Sequence, residues 1–226
     1  MLLPLPNSTL TRIGSDYGGW IFDINLIKDN TNVISAGLAT DVTFDTELLI
    51  LKKVFIIGID PTHYSAGHID NLFKNGILNR NNYLFHNCCL YGSDNTQLKV
   101  GGPASSVFAN EGIDSISISL NSLLDKYNNF SILKMDIEGS EYSVIENTSR
   151  FDMPQIGIEF HHWLDKSPYK LEDTVVCMNK LKSFGYKMVY KEKTGYTFQN
   201  TLFIKKELCP QYEDLDENST VEYRCN

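Results

Sequence analysis

The chain has 226 residues, of which 42% are hydrophobic and 21% charged, with a formal net charge of −8. This composition excludes a disordered, collagen-like or disulfide-stapled chain, and the length predicts one compact α/β domain with short extensions. No apolar run approaches the roughly 20 residues that span a bilayer, and the acidic balance argues against binding a phosphate backbone through bulk electrostatics. Five cysteines without a CxxC pair favour reduced thiols in a cytoplasmic protein, and the N-terminus lacks the basic start of a signal peptide.

Apolar runs alternate with amphipathic segments from residue 32 onward, as βα units require. The predicted elements, in chain order, are an outlying strand at 19–26, strand 32–36, helix 41–51, strand 53–60, helix 65–77, strand 82–90, a loop and hairpin at 91–118, helix 119–127, strand 131–136, helix 141–147, strand 154–161, helix 171–184, and strands 186–190 and 196–205. The alternation predicts a mostly parallel sheet with helices on both faces. Residues 1–30 are then an N-terminal extension, 31–206 the main domain, and 207–226 an acidic, solvent-exposed tail.

Ligands of such sheets bind beyond the carboxyl ends of the strands, and the first two strand ends indicate a nucleoside. After the first strand, Ala36 and Gly37 allow one small group to approach, but the GxGxxG pattern of a dinucleotide site is missing. Asp60 ends the second strand 23 positions after Gly37. A carboxylate there suits a ribose diol, although it also suits a cap of the turn before Pro61. Together these residues favour S-adenosylmethionine over NAD.

The segment KMDIEGSE, residues 134–141, is the strongest signal. The two-residue period of a strand places Lys134 and Asp136 on one face, with Asp136 at the strand mouth. Glu141 falls in the first helical turn, where the macrodipole favours an anion. For Glu138 and Glu141, a solvated capping role is an equal alternative.

The next strand end brings a second carboxylate together with an imidazole. Glu159 and His161 alternate onto one strand face, so they can act as a general base or bind a divalent metal. The alternative for His161 is an ordinary buried, hydrogen-bonded histidine. Near the N-terminus, Gly18 and Gly19 before Trp20 suggest a tight loop that presents an aromatic ring, or else a plain hairpin turn.

These residues together resemble the FkbM-type family of S-adenosylmethionine-dependent methyltransferases. Lys134–Glu141 matches the family's pattern of Lys-hydrophobic-Asp-hydrophobic-Glu-Gly-x-Glu throughout, and Arg12-x-Gly14 followed by Gly18-Gly19-Trp20 is similar to the opening of one subgroup. The sequence departs from the family at Ser35, where an acidic residue usually stands two positions before the glycine.

The resemblance implies a Rossmann-like class I methyltransferase with a seven-stranded, mostly parallel sheet and an antiparallel last strand. It also implies methyl transfer to a hydroxyl, often of a sugar or another small metabolite. Ala36 and Gly37 would hold the methionine part of the cofactor, Asp60 the ribose, and Cys89 would flank the adenine. Asp136 would face the reacting centre.

The expected catalytic residues are Asp136, Glu159 and His161. They would deprotonate the acceptor hydroxyl directly, which we favour slightly, or hold Mg²⁺ or Mn²⁺ that lowers its pKa. The expected partner is a small-molecule or glycan acceptor, with no nucleic acid and no membrane. One alternative is an RNA methyltransferase, for which the lysines between 180 and 193 make only a modest basic run. Another is a non-catalytic binding module, suggested by Ser35.

Overall fold

The computed structural model describes residues 9–102, 105–194 and 197–219. Its strands, in chain order, are β1 (Leu10–Ile13), β2 (Trp20–Asp23), β3 (Thr31–Ala36), β4 (Val54–Ile59), β5 (Tyr83–His86), β6 (Cys89–Tyr91), β7 (Gln97–Val100), β8 (Ile113–Ser119), β9 (Phe130–Met135), β10 (Gln155–Phe160), β11 (Tyr186–Thr194) and β12 (Thr197–Lys205). The α-helices are α1 (Thr43–Leu51), α2 (His63–Lys74), α3 (Leu120–Lys126), α4 (Glu141–Asn147) and α5 (Leu171–Ser183). The expectation of no signal peptide concerns residues that lie mostly outside the described ones.

Seven strands form the central sheet in the order β11-β12-β10-β9-β3-β4-β5. The five strands β3, β4, β5, β9 and β10 pair in parallel, whereas β12 runs antiparallel to both β10 and β11. All six residues of β9 are buried, as continuous apolar strands of a sheet covered on both faces must be. The predicted sheet, with its antiparallel last strand, is confirmed.

The N-terminal hairpin of β1 and β2 lies outside this sheet and packs on it. All four residues of β2 are buried. Phe22 and Trp20 lie against Gly157 in β10, where an added Cβ would stand 2.7 Å from Phe22 Cζ. The predicted outlying strand is therefore confirmed, and this part of the extension contributes to the core.

The strand predicted at 82–90 is wrong, because it consists of two strands in different sheets. The Asn87 side chain donates to the backbone carbonyls of Asp60 and Thr62, and the Cys88 amide donates to the carbonyl of His86. These bonds turn the chain out of the main sheet after β5. The next strand, β6, joins β8 and β7 in a three-stranded sheet, and β7 and β8 form the expected hairpin.

The C-terminal strap, which we define as residues 207–219, is not the solvent-exposed tail that its charge predicts. Cys209, Tyr212 and Leu215 are at most 2% exposed, and Lys187 Nζ donates to the carbonyls of Cys209 and Tyr212. One buried side chain at every third position lets the strap lie on β11, and Asp214 accepts a hydrogen bond from the Met188 amide of that strand at 3.2 Å. Residues 220–226 lie outside the described part.

Two further expectations concern thiols and membranes. The four cysteines in the described ranges, Cys88, Cys89, Cys177 and Cys209, are free thiols. Within the same ranges, no helix has both the length and the apolar character needed to cross a membrane.

Candidate active site

The carboxyl ends of β9 and β10 bring the three predicted catalytic residues together. One carboxylate oxygen each from Asp136 and Glu159 and one ring nitrogen of His161 lie within 4.8 Å of one another. These two strands are neighbours in the sheet, and a parallel pair delivers its carboxyl ends to the same edge. The proximity expected from sequence therefore holds in the fold.

His161 is surrounded by carboxylates. Its ring Nδ1 lies 3.2 Å from Glu141 Oε1, while Nε2 lies 3.5 Å from Asp136 Oδ1, 3.4 Å from Glu138 Oε2 and 3.9 Å from Glu159 Oε1. Burial disfavours the imidazolium, but the negative charges of Glu141, Asp136 and Glu138 outweigh it and raise the pKa of His161 to about 10. At neutral pH this histidine is positively charged, so it has no free lone pair with which to accept a proton.

The carboxyl groups beside it are better suited to proton transfer. Burial, opposed by His161 and reinforced by Asp136, raises the pKa of Glu138 to about 7. Burial and then Asp136 likewise raise the pKa of Glu159 to about 7. A group whose pKa lies near the working pH is the most effective general base.

Glu141 connects the two strand ends and is completely buried. Its Oε1 accepts a hydrogen bond from the backbone amide of His161 at 2.7 Å, and its Oε2 accepts one from Gly139 at 2.9 Å. The interpretation of Glu141 as a solvated capping residue is wrong, because the carboxylate is a buried brace. Glu138, one third of whose side chain is exposed, instead faces the strand mouth.

The ends of β3 and β9 touch at Gly37. Its φ is +77°, and an added Cβ would lie 1.5 Å from the carbonyl oxygen of Asp136, so only glycine fits. The Asp136 amide donates to the carbonyl of Ala36 at 3.1 Å, and Lys134 Nζ donates to the carbonyls of Ala36 and Gly37. Asp136 is thus held against the first strand end.

Asp60 is almost fully buried, at 5% exposed, and its carboxylate is fully engaged by the protein. Oδ2 accepts hydrogen bonds from the amides of Leu38 and Ala39 at 2.9 and 3.0 Å. Oδ1 accepts from the Thr62 amide and hydroxyl at 2.8 and 2.5 Å. Asp60 therefore caps its own turn and also shapes the loop after β3, and a ribose hydroxyl could bind it only by replacing one of these donors.

Two cavities open at these strand ends. The Asp60 cavity has a volume of about 90 Å³, and its lining includes Asp60, Cys89 and the apolar side chains of Ile59, Leu90 and Ile137. The Trp163 cavity has a volume of about 460 Å³ and is lined by Asp16, Tyr17, Gly18, Trp20, Gly37, Leu38, Ala39, Asp41, Lys134, Asp136, Glu138, Glu159, His161, Trp163, Glu192 and Asn200. Both cavities share Gly37, Ala39, Asp136 and Glu138, so two ligands bound there would meet at this wall.

The glycine pair near the N-terminus presents a different ring from the one expected. Trp20 is 4% exposed because it begins a buried strand, whereas Tyr17, at the tip of the preceding turn, is 92% exposed. The sequence signal for this was the position of Tyr17 directly before Gly18, in the most turn-prone part of the segment.

Asp45, which the sequence analysis missed, supplies a carboxylate close to Ser35. It lies on α1, is fully buried, and accepts hydrogen bonds from Ser35 Oγ at 2.7 Å and from Tyr83 Oη at 2.6 Å. Burial raises its pKa. Nothing in the periodicity of α1 distinguishes this inward-facing acid, because only the packing of α1 on the sheet brings it to Ser35.

The solved structures to which the chain is similar include methyltransferases. The chain is similar to methyltransferase FkbM from Methylobacillus flagellatus KT, with 15% identity and a TM-score of 0.56 over 81% of this chain and 46% of that one. It is also similar to precorrin-6y C5,15-methyltransferase from Geobacter metallireducens GS-15, with 15% identity and a TM-score of 0.42 over 80% of this chain and 81% of that one. A third similar structure is TrmK from M. capricolum with bound S-adenosyl-homocysteine, with 11% identity and a TM-score of 0.43 over 80% and 65% of the two chains.

The strand order, the two cavities at the strand ends and the FkbM structure define a Rossmann-like methyltransferase fold. The family model described as the methyltransferase FkbM domain matches residues 2–188, and the chain belongs to that family. It spans about half the length of the Methylobacillus protein. No curated protein matches it.

Proposed function

We propose that this protein is an S-adenosylmethionine-dependent O-methyltransferase that acts on a hydroxyl of a small molecule, a sugar or a glycan. The observation that carries the proposal is the shared wall of the two cavities, formed by Gly37, Ala39, Asp136 and Glu138. A cofactor on one side and an acceptor on the other would meet at this wall. Methyl transfer needs such an in-line encounter, and positioning alone contributes up to roughly 7–11 kcal/mol in the best cases.

The Asp60 cavity fits the cofactor. The apolar side chains of its lining, Ile59, Leu90 and Ile137, suit an adenine ring beside Cys89. We assign Asp60 to the ribose side and Ala36 and Gly37 to the methionine side. When bound, S-adenosylmethionine supplies an activated sulfonium methyl group.

The residues of this chain would then orient and deprotonate the acceptor. Asp136 and Glu159 are the proposed proton acceptors, since both face the Trp163 cavity. His161, held as an imidazolium by Glu141, would keep these carboxylates in place and offset their mutual repulsion. This arrangement refines the sequence-based hypothesis, in which His161 was itself a candidate base.

A divalent metal is the second mechanistic candidate. Asp136, Glu159 and His161 offer two oxygen atoms and one nitrogen within 4.8 Å of one another, and the two carboxylate oxygens suit Mg²⁺ or Mn²⁺. Bound there, a metal would lower the pKa of the acceptor hydroxyl and would take the place of the proton on His161 Nε2. A chelator titration during turnover separates the two: full activity in EDTA supports the carboxylate base, and loss restored by Mg²⁺ or Mn²⁺ supports the metal.

The two rival functions have less support. Six acidic side chains line the Trp163 cavity, and they would repel the phosphates of an RNA acceptor. A non-catalytic module would have no use for a carboxyl group with a pKa near 7, that of Glu138, at the wall between the two cavities. The alternative of a non-catalytic module was suggested by Ser35, which stands where the family usually has an acidic residue. In this fold the buried Asp45, which accepts a hydrogen bond from Ser35, supplies a carboxylate at that place.

The test combines cofactor binding with methyl transfer. We expect calorimetry to detect S-adenosylmethionine, and a screen of free sugars, glycans and nucleotide-sugars with labelled cofactor to identify an acceptor. Glu159→Gln should then lower the transfer rate about 10²- to 10⁴-fold with unchanged cofactor affinity, because Glu159 lines only the Trp163 cavity. Asp136→Asn should reduce both the transfer rate and the cofactor affinity. The exposed Glu146→Gln should change neither quantity.

Absence of cofactor binding at millimolar concentrations would refute the enzyme proposal in favour of the module. Wild-type transfer by both Glu159→Gln and Asp136→Asn would refute the catalytic assignment alone.

A further inference from the structure

One short segment of the chain contacts both the Asp60 cavity and the turn that follows β9. The segment consists of residues 105–108 and lies between β7 and β8. Ser105 and Val107 line the Asp60 cavity. Ser106 and Phe108 are not part of that lining and instead contact the turn at residues 138–139. Alternate side chains of the 105–108 segment therefore reach the proposed cofactor side and the shared wall of the two cavities.

The Ser106 hydroxyl holds this turn by its backbone. Ser106 is 7% exposed, and its Oγ donates to the Glu138 carbonyl at 2.8 Å and accepts from the Phe108 amide at 3.1 Å. The Ser106 amide donates to the Gly101 carbonyl at 2.8 Å, and the Gly101 amide donates back at 3.1 Å. A buried hydroxyl whose donor and acceptor capacity are both used in this way has a fixed orientation, so Ser106 is a fixed donor to the turn.

The Phe108 ring packs directly on Gly139. Gly139 has a φ of +106°, and an added Cβ would overlap the Phe108 ring, so only glycine fits. The Phe108 ring centroid lies 5.9 Å from that of Tyr169, which stacks on Tyr142 at 4.0 Å. Tyr142 belongs to α4 and is 2% exposed. Because these rings are packed behind it, Phe108 cannot shift without displacing its neighbours.

On the other side, the segment is joined to α2. The hydroxyl groups of Ser105 and Tyr64 share a hydrogen bond at 2.9 Å, and both residues line the Asp60 cavity. Ser105 has a φ of +53°, a left-handed conformation that residues other than glycine keep only where their surroundings hold it. A ligand in the Asp60 cavity would add contacts to Ser105 and Val107 and so favour one position of the segment.

We propose that Ser106 and Phe108 are positioning residues that make the placement of the turn at residues 138–139 depend on the cofactor. A cofactor that contacts Ser105 and Val107 holds the segment, and Ser106 and Phe108 then hold the turn at the wall where methyl donor and acceptor meet. A ligand shifts a conformational equilibrium only through contacts that differ between the two states, and this segment provides such contacts. The inference rests on the proposed function, because it takes the Asp60 cavity as the cofactor site.

Trp163 can report on the opposite side of the wall. Its ring centroid lies 5.6 Å from that of His161, whose Nε2 lies 3.4 Å from Glu138 Oε2, and Trp163 is not part of the Asp60 cavity lining. The probe is S-adenosylhomocysteine, the demethylated cofactor, in EDTA near neutral pH. Calorimetry measures its affinity, and tryptophan emission is compared before and after saturation. We expect the wild type to show an emission change that disappears in Trp163→Phe, which excludes Trp20 as its source.

The decisive variants remove the contacts of the segment with the turn. Ser106→Ala and Phe108→Ala should lose most of the emission change. Their affinity for S-adenosylhomocysteine should stay within roughly fivefold of the wild type, the range of one neutral hydrogen bond, because neither side chain lines the cavity. Ser106→Thr keeps the hydroxyl and should restore the change. Ser183→Ala removes an exposed hydroxyl at the end of α5 and is the matched control, which should behave as the wild type.

An emission change of wild-type size in both Ser106→Ala and Phe108→Ala would overturn the proposal, as would a wild-type complex without a response of Trp163. Loss of S-adenosylhomocysteine binding in both variants, with a wild-type Tm, would also overturn it, because these side chains would then belong to the cofactor site. Absence of binding to the wild type would refute the proposed function and this inference together. The other results leave the proposed function standing, so the two failures are distinguishable.

Discussion

His161 is the residue on which the electrostatics of the site depend. Four carboxyl groups lie within 3.9 Å of its ring nitrogens, and its side chain is 2% exposed. A buried imidazolium among carboxylates is stabilised in the folded state only, so the protein binds protons more tightly when folded than when unfolded.

The linkage predicts a stability that falls as the pH rises. The pKa of His161 is raised from 6.5 to about 10, so its contribution is fully present below pH 6.5 and is lost toward pH 10. The pKa of Glu138 is raised from 4.5 to about 7, so this group also makes stability fall as the pH rises, between about pH 4.5 and 7. We expect the Tm of the wild type in EDTA to fall between pH 7 and 10 and the slope to be flatter in His161→Gln. Thermal unfolding by circular dichroism measures both, and a wild-type Tm that is constant over this range would contradict the prediction.

The buried carboxylate of Glu141 beside His161 leads to a second prediction. Removing its charge leaves His161 with one fewer counter-charge in a fully buried position, and breaking such a pair costs roughly 3–5 kcal/mol. We expect Glu141→Gln to lower the free energy of unfolding in urea by about that amount and to reduce methyl transfer. The exposed Glu146→Gln on the same helix is the matched control. A variant as stable as this control would show that Glu141 is not a brace.

At the scale of elements, the C-terminal strap accounts for much of the basic run between residues 180 and 193, which sequence analysis considered as a surface for RNA. Lys182 forms an ion pair with Asp214 at 3.1 Å, Lys187 donates to carbonyls of the strap, and Lys191 Nζ donates to the carbonyls of Asp216 and Glu217 at 3.3 and 2.9 Å. These lysines therefore hold the strap against β11 and are not an open basic surface.

The strap should contribute measurably to stability. Leu215 is 2% exposed, and its amide donates to the Met188 carbonyl at 2.8 Å. Truncating a buried leucine to alanine costs about 2–5 kcal/mol, so Leu215→Ala should shift the urea midpoint strongly. The exposed Glu213→Ala should leave the midpoint almost unchanged. Equal urea midpoints for the two variants would contradict the prediction, because they would show that the packing of Leu215 does not contribute to stability.

At the scale of the whole molecule, the net charge of −8 acts together with the internal pairing of the lysines. The cavity proposed for the acceptor is acidic, and three lysines of the basic run, Lys182, Lys187 and Lys191, contact the strap. Long-range steering of a phosphate backbone to this surface is therefore unfavourable.

This arrangement predicts negligible binding to RNA. We expect the fluorescence anisotropy of a labelled RNA to remain unchanged at low salt. If residual binding occurs, its logarithmic dependence on salt should have a slope near zero, since few phosphates are neutralised. Tight binding with a steep salt slope would contradict this prediction and favour an RNA methyltransferase over the proposed function.

Much of the fold and part of the site could be predicted from particular residues. Lys134 and Asp136, and likewise Glu159 and His161, lie in one strand or directly after it, so the two-residue period was enough to place their side chains. The burial of Glu141, which begins α4, could not be predicted in this way. The break between β5 and β6 could not be predicted, because it depends on the Asn87 side chain reaching carbonyls 25 and 27 positions away. The exposure of Tyr17 also depends on how the turn packs against α1, and the burial of Trp20 depends on how β2 packs against Gly157 of β10.

The sequence by itself determined the α/β class, the family resemblance and the three residues that meet at the strand ends, because these follow from local periodicity and short motifs. Only the tertiary structure decided what the charges do. The acidic tail packs on β11 through three buried side chains, three lysines of the basic run contact it, and His161 changed from a candidate base to a cation. Each outcome depends on distances between segments remote in the chain, and those distances set burial, hydrogen bonding and pKa. The composition of 226 residues with a net charge of −8 contains none of them.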